Sequence, residues 1–124
     1  MRLLLDTQIF IWAMENSPRL TAKSRRTIAA ADRCFVSLIS AWEIAIKAGL
    51  GRITPPEPVE FAIVANGFAP LMITFDHVAA VQHLPNHHRD PFDRLLIAQA
   101  LTDGLTLMSA DRKFAEYGIA HIPA

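Results

Sequence analysis

Five short apolar runs, Leu3–Leu5, Cys34–Ser37, Leu71–Ile73, Leu105–Ser109 and Ala120–Ile122, punctuate the chain, and helix-patterned segments lie between them. Runs of this length suit buried strands. Strands that are apolar throughout, and that are joined by helices, predict a mostly parallel sheet covered on both faces, because each strand must be buried on two sides. The fold class expected is therefore α/β, with a central sheet between two helical layers.

The intervening segments carry their own punctuation. Thr7 to Glu15 places Ile9, Trp12 and Ala13 at helical spacing. Pro18 interrupts, and Thr21 is positioned to cap a second helix running to about Ala31. A third helix is expected from Ser40 through Lys47, stopped by Gly49 and Gly51. Pro55, Pro56 and Pro58 mark a loop. Val59 to Ala65 reads as a short helix closed by Gly67, and Thr74 caps one that runs to about Gln82. After the polar stretch His83–Arg89, Pro91 opens a strong helix to Thr102, with Gly104 just past its end, and Asp111–Tyr117 is helical. At 124 residues, 52% of them hydrophobic and 19% charged, the chain is expected to form one globular domain, residues 1–124, with a real core and no disordered tail.

Composition also limits the functional classes. Lysine plus arginine equals aspartate plus glutamate at 12 each, so no global basic field draws in a polyanion. A nucleic-acid substrate would have to be held locally. The single cysteine, Cys34, sits in an apolar run and reads as core, in keeping with a reducing compartment. No apolar stretch approaches the roughly 20 residues needed to span a bilayer. The opening Met-Arg-Leu-Leu-Leu-Asp meets an acid too early for a secretory leader, so a soluble cytoplasmic protein without membrane attachment is expected.

The acids fall where an open α/β sheet collects its functional groups, in the crevice beyond the carboxyl ends of the strands. Asp6 follows the first strand, Glu43 lies early in the helix after the second, Asp93 opens the Pro91 helix, and Asp111 follows the run Leu-Thr-Leu-Met-Ser. Several carboxylates in one cleft raise one another's pKa, and desolvation adds to that cost. A hard divalent cation relieves it. Oxygen ligands of this kind suit Mg²⁺ or Mn²⁺, which lower the pKa of water and stabilise charge on a phosphodiester under in-line attack. Each acid also has a structural alternative. Asp6 and Asp111 are placed to cap the helices that follow them, and Glu43 stands three residues after Ser40 in a capping-box pattern. Asp90, directly before Pro91, reads as a helix cap, and Asp93 sits where the helix dipole favours negative charge.

At these positions the chain resembles the PIN-domain ribonucleases, specifically the VapC-type toxins of bacterial toxin–antitoxin modules. The resemblance spans nearly the whole length. It rests on Leu-Leu-Leu-Asp-Thr followed by a helix with Trp12, on Ser-Ala-Trp-Glu-Ile-Ala-Ile-Lys, on His-Arg-Asp-Pro-Phe-Asp-Arg-Leu-Leu-Ile-Ala-Gln-Ala, and on Ser-Ala-Asp-Arg-Lys-Phe. It implies a three-layer α/β/α PIN-like fold, with Asp6, Glu43 and Asp93 as the core acidic triad and Asp111 as the fourth metal-site carboxylate. Thr7 and Ser109 fit its polar supporting positions. It further implies an endoribonuclease that uses one or two Mg²⁺ or Mn²⁺ ions to activate water, a small cognate antitoxin that blocks the groove with an arginine, and a homodimer.

Other residues are candidates for substrate contact. Arg94 and Arg112 each adjoin a proposed acidic ligand, and a guanidinium can clamp phosphate bidentately. Arg19, Lys23 and Arg26 recur at helical spacing and read as a solvated face. His83, His87 and His88 crowd one loop without zinc-like spacing and read as surface polarity in a polar loop. Trp12, Trp42 and Phe92 fall at apolar helical positions and read as core or dimer contacts. Two rival functions stay in view, a phospho-acceptor receiver-like domain and a PIN module that binds without cutting. The first lacks an acidic pair after the opening strand, because Asp6 is followed by Thr7, and its late lysine has no counterpart, because Lys113 lies within a helix. The intact acids count against the second.

Overall fold

The computed structural model describes residues 1–55, 57–86 and 90–124. Its strands are β1 (Arg2–Leu5), β2 (Arg33–Ser37), β3 (Ala69–Leu71), β4 (Thr106–Ser109) and β5 (His121–Pro123). They form one sheet in the order β3-β2-β1-β4-β5, and every pairing is parallel. The helices are α1 (Thr7–Met14), α2 (Ala22–Ala30), α3 (Leu38–Gly49), α4 (Val59–Ala65), α5 (Phe75–Val81) and α6 (Pro91–Asp103), followed by a 3₁₀ helix, Arg112–Tyr117.

The period-2 alternation of a strand divides β1 between two cores. Leu3 and Leu5 pack with Ile9, Phe10, Val36, Ile44 and Ile63. Leu4 faces the other way, with Leu107, Leu96, Ile97, Ala100 and Phe114. Each fully buried side chain of this size stabilises by about 1.5–3 kcal/mol, and β1, buried on both faces, anchors both helical layers. The expected three-layer α/β/α arrangement is present.

The strand order sets the position of the functional crevice. The chain steps outward from β1 through β2 to β3, then returns to lay β4 and β5 on the other side of β1. β1 and β4 are therefore neighbours whose following connections diverge, which is the switch point where ligand crevices form. Leu5 is paired with Met108, and the Asp6 N–H donates to the Met108 carbonyl at 3.1 Å, so the residues just beyond each strand stand side by side.

Several boundaries differ from the sequence-based expectation. The third strand is Ala69–Leu71 rather than Leu71–Ile73. Pro70 within it resembles a breaker, but β3 is an edge strand, where a residue without an N–H is tolerated. α3 begins at Leu38, capped by the Ser37 Oγ, which accepts from the Ile39 N–H at 3.0 Å, so Ser40 lies inside the helix and is fully buried. The expected last helix is present as a 3₁₀ helix, Arg112–Tyr117, and the final strand is His121–Pro123 rather than Ala120–Ile122. Gly104 takes the left-handed conformation, φ 65°, that ends α6. His87, His88, Arg89 and Pro56 lie outside the described residues. Among the described residues no helix is long and apolar enough to cross a membrane.

α5 is fastened to α6 at both ends. At its start, His77 is buried; its Nδ1 accepts from the Thr74 N–H at 3.0 Å, which leaves Nε2 to donate to Asp103 Oδ2 at 2.9 Å. At its end, the Arg94 guanidinium donates to the carbonyls of Pro85 at 2.9 Å and Val81 at 3.3 Å. These bonds hold α5 against α6.

Candidate active site

The backbone just past β1 turns directly into α1, and Asp6 is the residue at the junction. Its Oδ1 accepts from the Ile9 N–H at 2.8 Å, which caps α1, while Oδ2 accepts from the Ser109 hydroxyl at 2.5 Å. Capping and cleft placement thus coexist in one carboxylate. Asp6 is only 8% exposed. Burial pushes its pKa from 3.8 up to about 6; the bonds from Ser109 and Ile9 oppose that rise, and the charges of Glu43 and Asp111 add to it.

Glu43 reaches the same place from α3. Because Ser37 caps that helix, the capping-box alternative for Glu43 does not apply, and its Oε1 instead accepts from the Thr7 hydroxyl at 2.9 Å. Thr7 Oγ1 also lies 2.9 Å from the buried Ser40 Oγ. A hydroxyl has one proton, so the chain runs from Ser40 to Thr7 to Glu43. Lys47, one turn further along α3, pairs with Glu43 Oε2 at 3.3 Å.

The other wall comes from α6 and the turn after β4. Asp90 is the N-cap of α6, with Oδ1 accepting from the N–H groups of Phe92 at 2.8 Å and Asp93 at 3.2 Å, and Pro91 takes the first helical position. Asp93 follows in the first turn, half-buried. Asp111 caps the 3₁₀ helix, its Oδ1 accepting from the Lys113 N–H at 2.9 Å, and its own N–H donates to Ser109 Oγ at 3.0 Å. Asp6, Glu43, Asp90, Asp93 and Asp111 all line one cleft of about 370 Å³, together with Thr7 and Lys47.

The donor set tests the expected cation. Five hard carboxylates face one cleft, and the desolvation of the most buried of them, Asp6, is opposed by the hydrogen bonds from Ser109 and Ile9 while the charges of Glu43 and Asp111 add to it. Hard oxygen ligands beside an under-compensated charge fit a divalent ion such as Mg²⁺. Among the described residues no three acidic, histidine or cysteine side chains are drawn tightly enough together to form a finished cage. That spacing is compatible with an ion that keeps several of its waters and takes few protein ligands.

A family model for the PIN domain matches residues 3–120. The chain belongs to the PIN-domain family. It is 31% identical over 117 residues to Ribonuclease VapC22 of Mycobacterium tuberculosis (strain ATCC 25618 / H37Rv), a match that covers 92% of this chain and 90% of the relative. Similar folds include VapBC2 of Rickettsia felis bound to a promoter DNA fragment, at a TM-score of 0.72 and 16% identity over 99% of this chain and 98% of that one. DNA-bound VapBC of Salmonella typhimurium is similar at 0.72 and 18%, with the same coverage. The chain is thus a PIN domain of the VapC type.

In this PIN domain the two arginines suggested for phosphate do not line the cleft. Arg94 follows Asp93 by one residue, about 100° around the helix, and its guanidinium is directed at the carbonyls that end α5. Arg112 is exposed at the start of the 3₁₀ helix. Trp42 is 58% exposed and packs edge-on against Phe92, ring centroids 5.1 Å apart. Sequence reasoning missed Lys47 and Ser40 as members of the site. The signal for Lys47 was present, because it stands four residues after Glu43, on the same helical face. Ser40, a serine near the start of a helix, carries the local signal of a cap, which hides its place behind Thr7.

Proposed function

We propose that this PIN domain is a divalent-cation-dependent endoribonuclease, the toxin of a toxin–antitoxin pair. The observation that carries the reading is the meeting of Asp6, Glu43, Asp93 and Asp111, from four separate segments, in one cleft at the crossover of β1 and β4. These four would hold Mg²⁺, with Mn²⁺ as a substitute, and Asp90 borders them while serving as the α6 cap. A cation held there lowers the pKa of water and offsets the negative charge that builds on a phosphodiester during hydrolysis.

The chain's own groups hold the acids in place. Ser109 fixes the rotamer of Asp6 and the turn that carries Asp111. Thr7, backed by Ser40, orients Glu43 and keeps Oε1 aimed along the cleft. The capped first turn of α6 fixes Asp93 on the opposite wall. Water attacks phosphorus and the bond to the leaving oxygen breaks, so RNA is cut into two strands, one ending in phosphate and one in hydroxyl.

The VapBC names of the structural neighbours support a cognate antitoxin as the partner of this chain. A homodimer, a single domain over residues 1–124 and a cytoplasmic site of action belong to the same reading. The test is RNA cleavage by the purified protein in Mg²⁺ or Mn²⁺. Activity that is lost in EDTA and returns with added Mg²⁺ is expected, and cleavage unaffected by EDTA overturns the reading. In cells, expression of the chain should arrest growth, and co-expression of a cognate antitoxin should relieve it.

A further inference from the structure

Resting on the ribonuclease reading, we propose that Lys47 is a substrate-binding residue whose ammonium leaves Glu43 for a phosphate oxygen of the RNA strand beside the scissile linkage. Among the described residues lining the cleft, Lys47 is the one cation, set against the carboxylates of Asp6, Glu43, Asp90, Asp93 and Asp111. A strand of phosphates entering such a wall meets repulsion wherever the cations bound by the acids do not reach. The chain has no net positive charge to offset that at a distance, so a local cation is required.

The geometry leaves Lys47 available for this. Its bond to Glu43 Oε2 is 3.3 Å long, and its side chain is 36% exposed. Glu43 is the more buried partner, at 19% exposed, while the ammonium end is the wetter one, so moving to a phosphate exchanges one anionic oxygen for another without stripping the lysine of a charged partner. Glu43 does not depend on the lysine for its place, because Thr7 holds Oε1 from the other side. When the ammonium swings away, the carboxylate stays oriented. The guanidinium of Arg94, in contrast, is engaged with the backbone at the end of α5. Lys47 stands about 6 Å along α3 from Glu43, one turn toward the helix C-terminus, and lines the same cleft beside the acids. A flexible ammonium with three rotatable donors suits a phosphate contact that positions without reading sequence.

Single-turnover cleavage of an end-labelled pool of random-sequence single-stranded RNA, in Mg²⁺ and over a series of KCl concentrations, tests this with wild type, Lys47→Gln and Lys47→Arg. For Lys47→Gln, the half-saturating enzyme concentration should rise about 3- to 10-fold, and the slope of its logarithm against log salt should fall by about 0.7, the loss of one phosphate contact to a single strand. The maximal rate should stay within about twofold, and Lys47→Arg should keep the wild-type slope. Thermal melting checks that each variant is folded, and Lys47→Met repeats the measurement should the glutamine variant melt early. A glutamine variant with wild-type half-saturation and slope overturns the proposal, whether its maximal rate is unchanged or reduced; a reduced rate would assign the lysine to Glu43 alone. A wild type inert on RNA in both Mg²⁺ and Mn²⁺ is the distinct failure of the ribonuclease reading, and this proposal falls with it.

Discussion

Ser109 Oγ donates to Asp6 Oδ2 at 2.5 Å while accepting the Asp111 N–H at 3.0 Å. One buried hydroxyl thus joins the carboxyl ends of β1 and β4 and holds two of the four acids. The serine was legible as a polar residue at the end of a strand. Its double engagement follows from the parallel register, which sets Leu5 opposite Met108 and so brings the next residues together.

Ser109→Ala removes the bond that most opposes the rise in the Asp6 pKa. The acid limb of the pH–rate profile is expected to move to higher pH. Loss of a partner that orients a metal-binding carboxylate costs about 10- to 100-fold in activity or cation affinity. Profiles of wild type and variant in Mg²⁺ check both effects.

Asp6→Asn should separate stability from function. Ionised Asp6 is a cost to the metal-free fold, and the gap between 3.8 and about 6 corresponds to about 3 kcal/mol at neutral pH. The asparagine carries no charge and can still accept from Ile9, so the variant should melt several degrees above wild type in EDTA. RNA cleavage should fall by more than about 100-fold, roughly 3 kcal/mol of barrier. Melting curves in EDTA together with cleavage rates read the two arms.

The same shift sets a pH dependence. A carboxyl whose folded pKa is raised keeps its proton in the fold while the unfolded chain releases it. The Asp6 contribution to metal-free stability therefore declines as pH rises from about 4 through about 6, and is level above that. Added Mg²⁺ should raise the melting temperature more at pH 7.5 than at pH 5, because protons compete for Asp6 at the lower value. Melting with and without Mg²⁺ across that range checks the sign.

Thr7→Val keeps the shape of a buried side chain but removes the donor to Glu43. A loss of about 10- to 100-fold in cleavage is expected, again by misorientation of an acid. Stability should fall by about 1–3 kcal/mol, because Ser40 is left buried without its partner. Urea denaturation and cleavage kinetics measure the two effects.

Arg94→Met distinguishes a fastener of α5 from a phosphate clamp. The variant should lose about 1.5–3 kcal/mol of stability for each strong carbonyl bond it gives up, with wild-type dependence of half-saturation on salt. A reduced salt slope with unchanged stability would restore the phosphate role suggested by its place beside Asp93.

Where local signals and tertiary structure agree, the sequence is an accurate guide. Asp90 before Pro91 and Gly104 after α6 mark that helix correctly, and the apolar runs at Leu3–Leu5 and Leu105–Ser109 become the central strands. Disagreement arises where pairing decides. Ser37 and Ser40 are both plausible caps, and the choice falls to Ser37 because β2 runs as far as Ser37 beside β3, which carries Ser40 into the buried helix. The position of β3 depends on its register with Phe35 and Ser37, which the apolarity of Leu71–Ile73 does not reveal. His77 likewise gives no sequence sign of its bond to Asp103, 26 residues away. Side-chain direction is the other gap. Arg94 stands four residues after Asp90 as Lys47 stands four after Glu43, yet only Lys47 lines the cleft, because the Arg94 guanidinium is drawn to the carbonyls of Val81 and Pro85 instead.

On the proposed reading the four acids act together in cation-dependent RNA cleavage. The most direct test is the single-turnover rate of RNA cleavage in Mg²⁺ for wild type beside Asp6→Asn, Glu43→Gln, Asp93→Asn and Asp111→Asn, each shown to be folded by its melting curve. Wild type should cleave and each variant should be slowed, with Asp6→Asn and Asp93→Asn reduced by more than about 100-fold. Cleavage at the wild-type rate by either of those two would show that the acids do not act as one site.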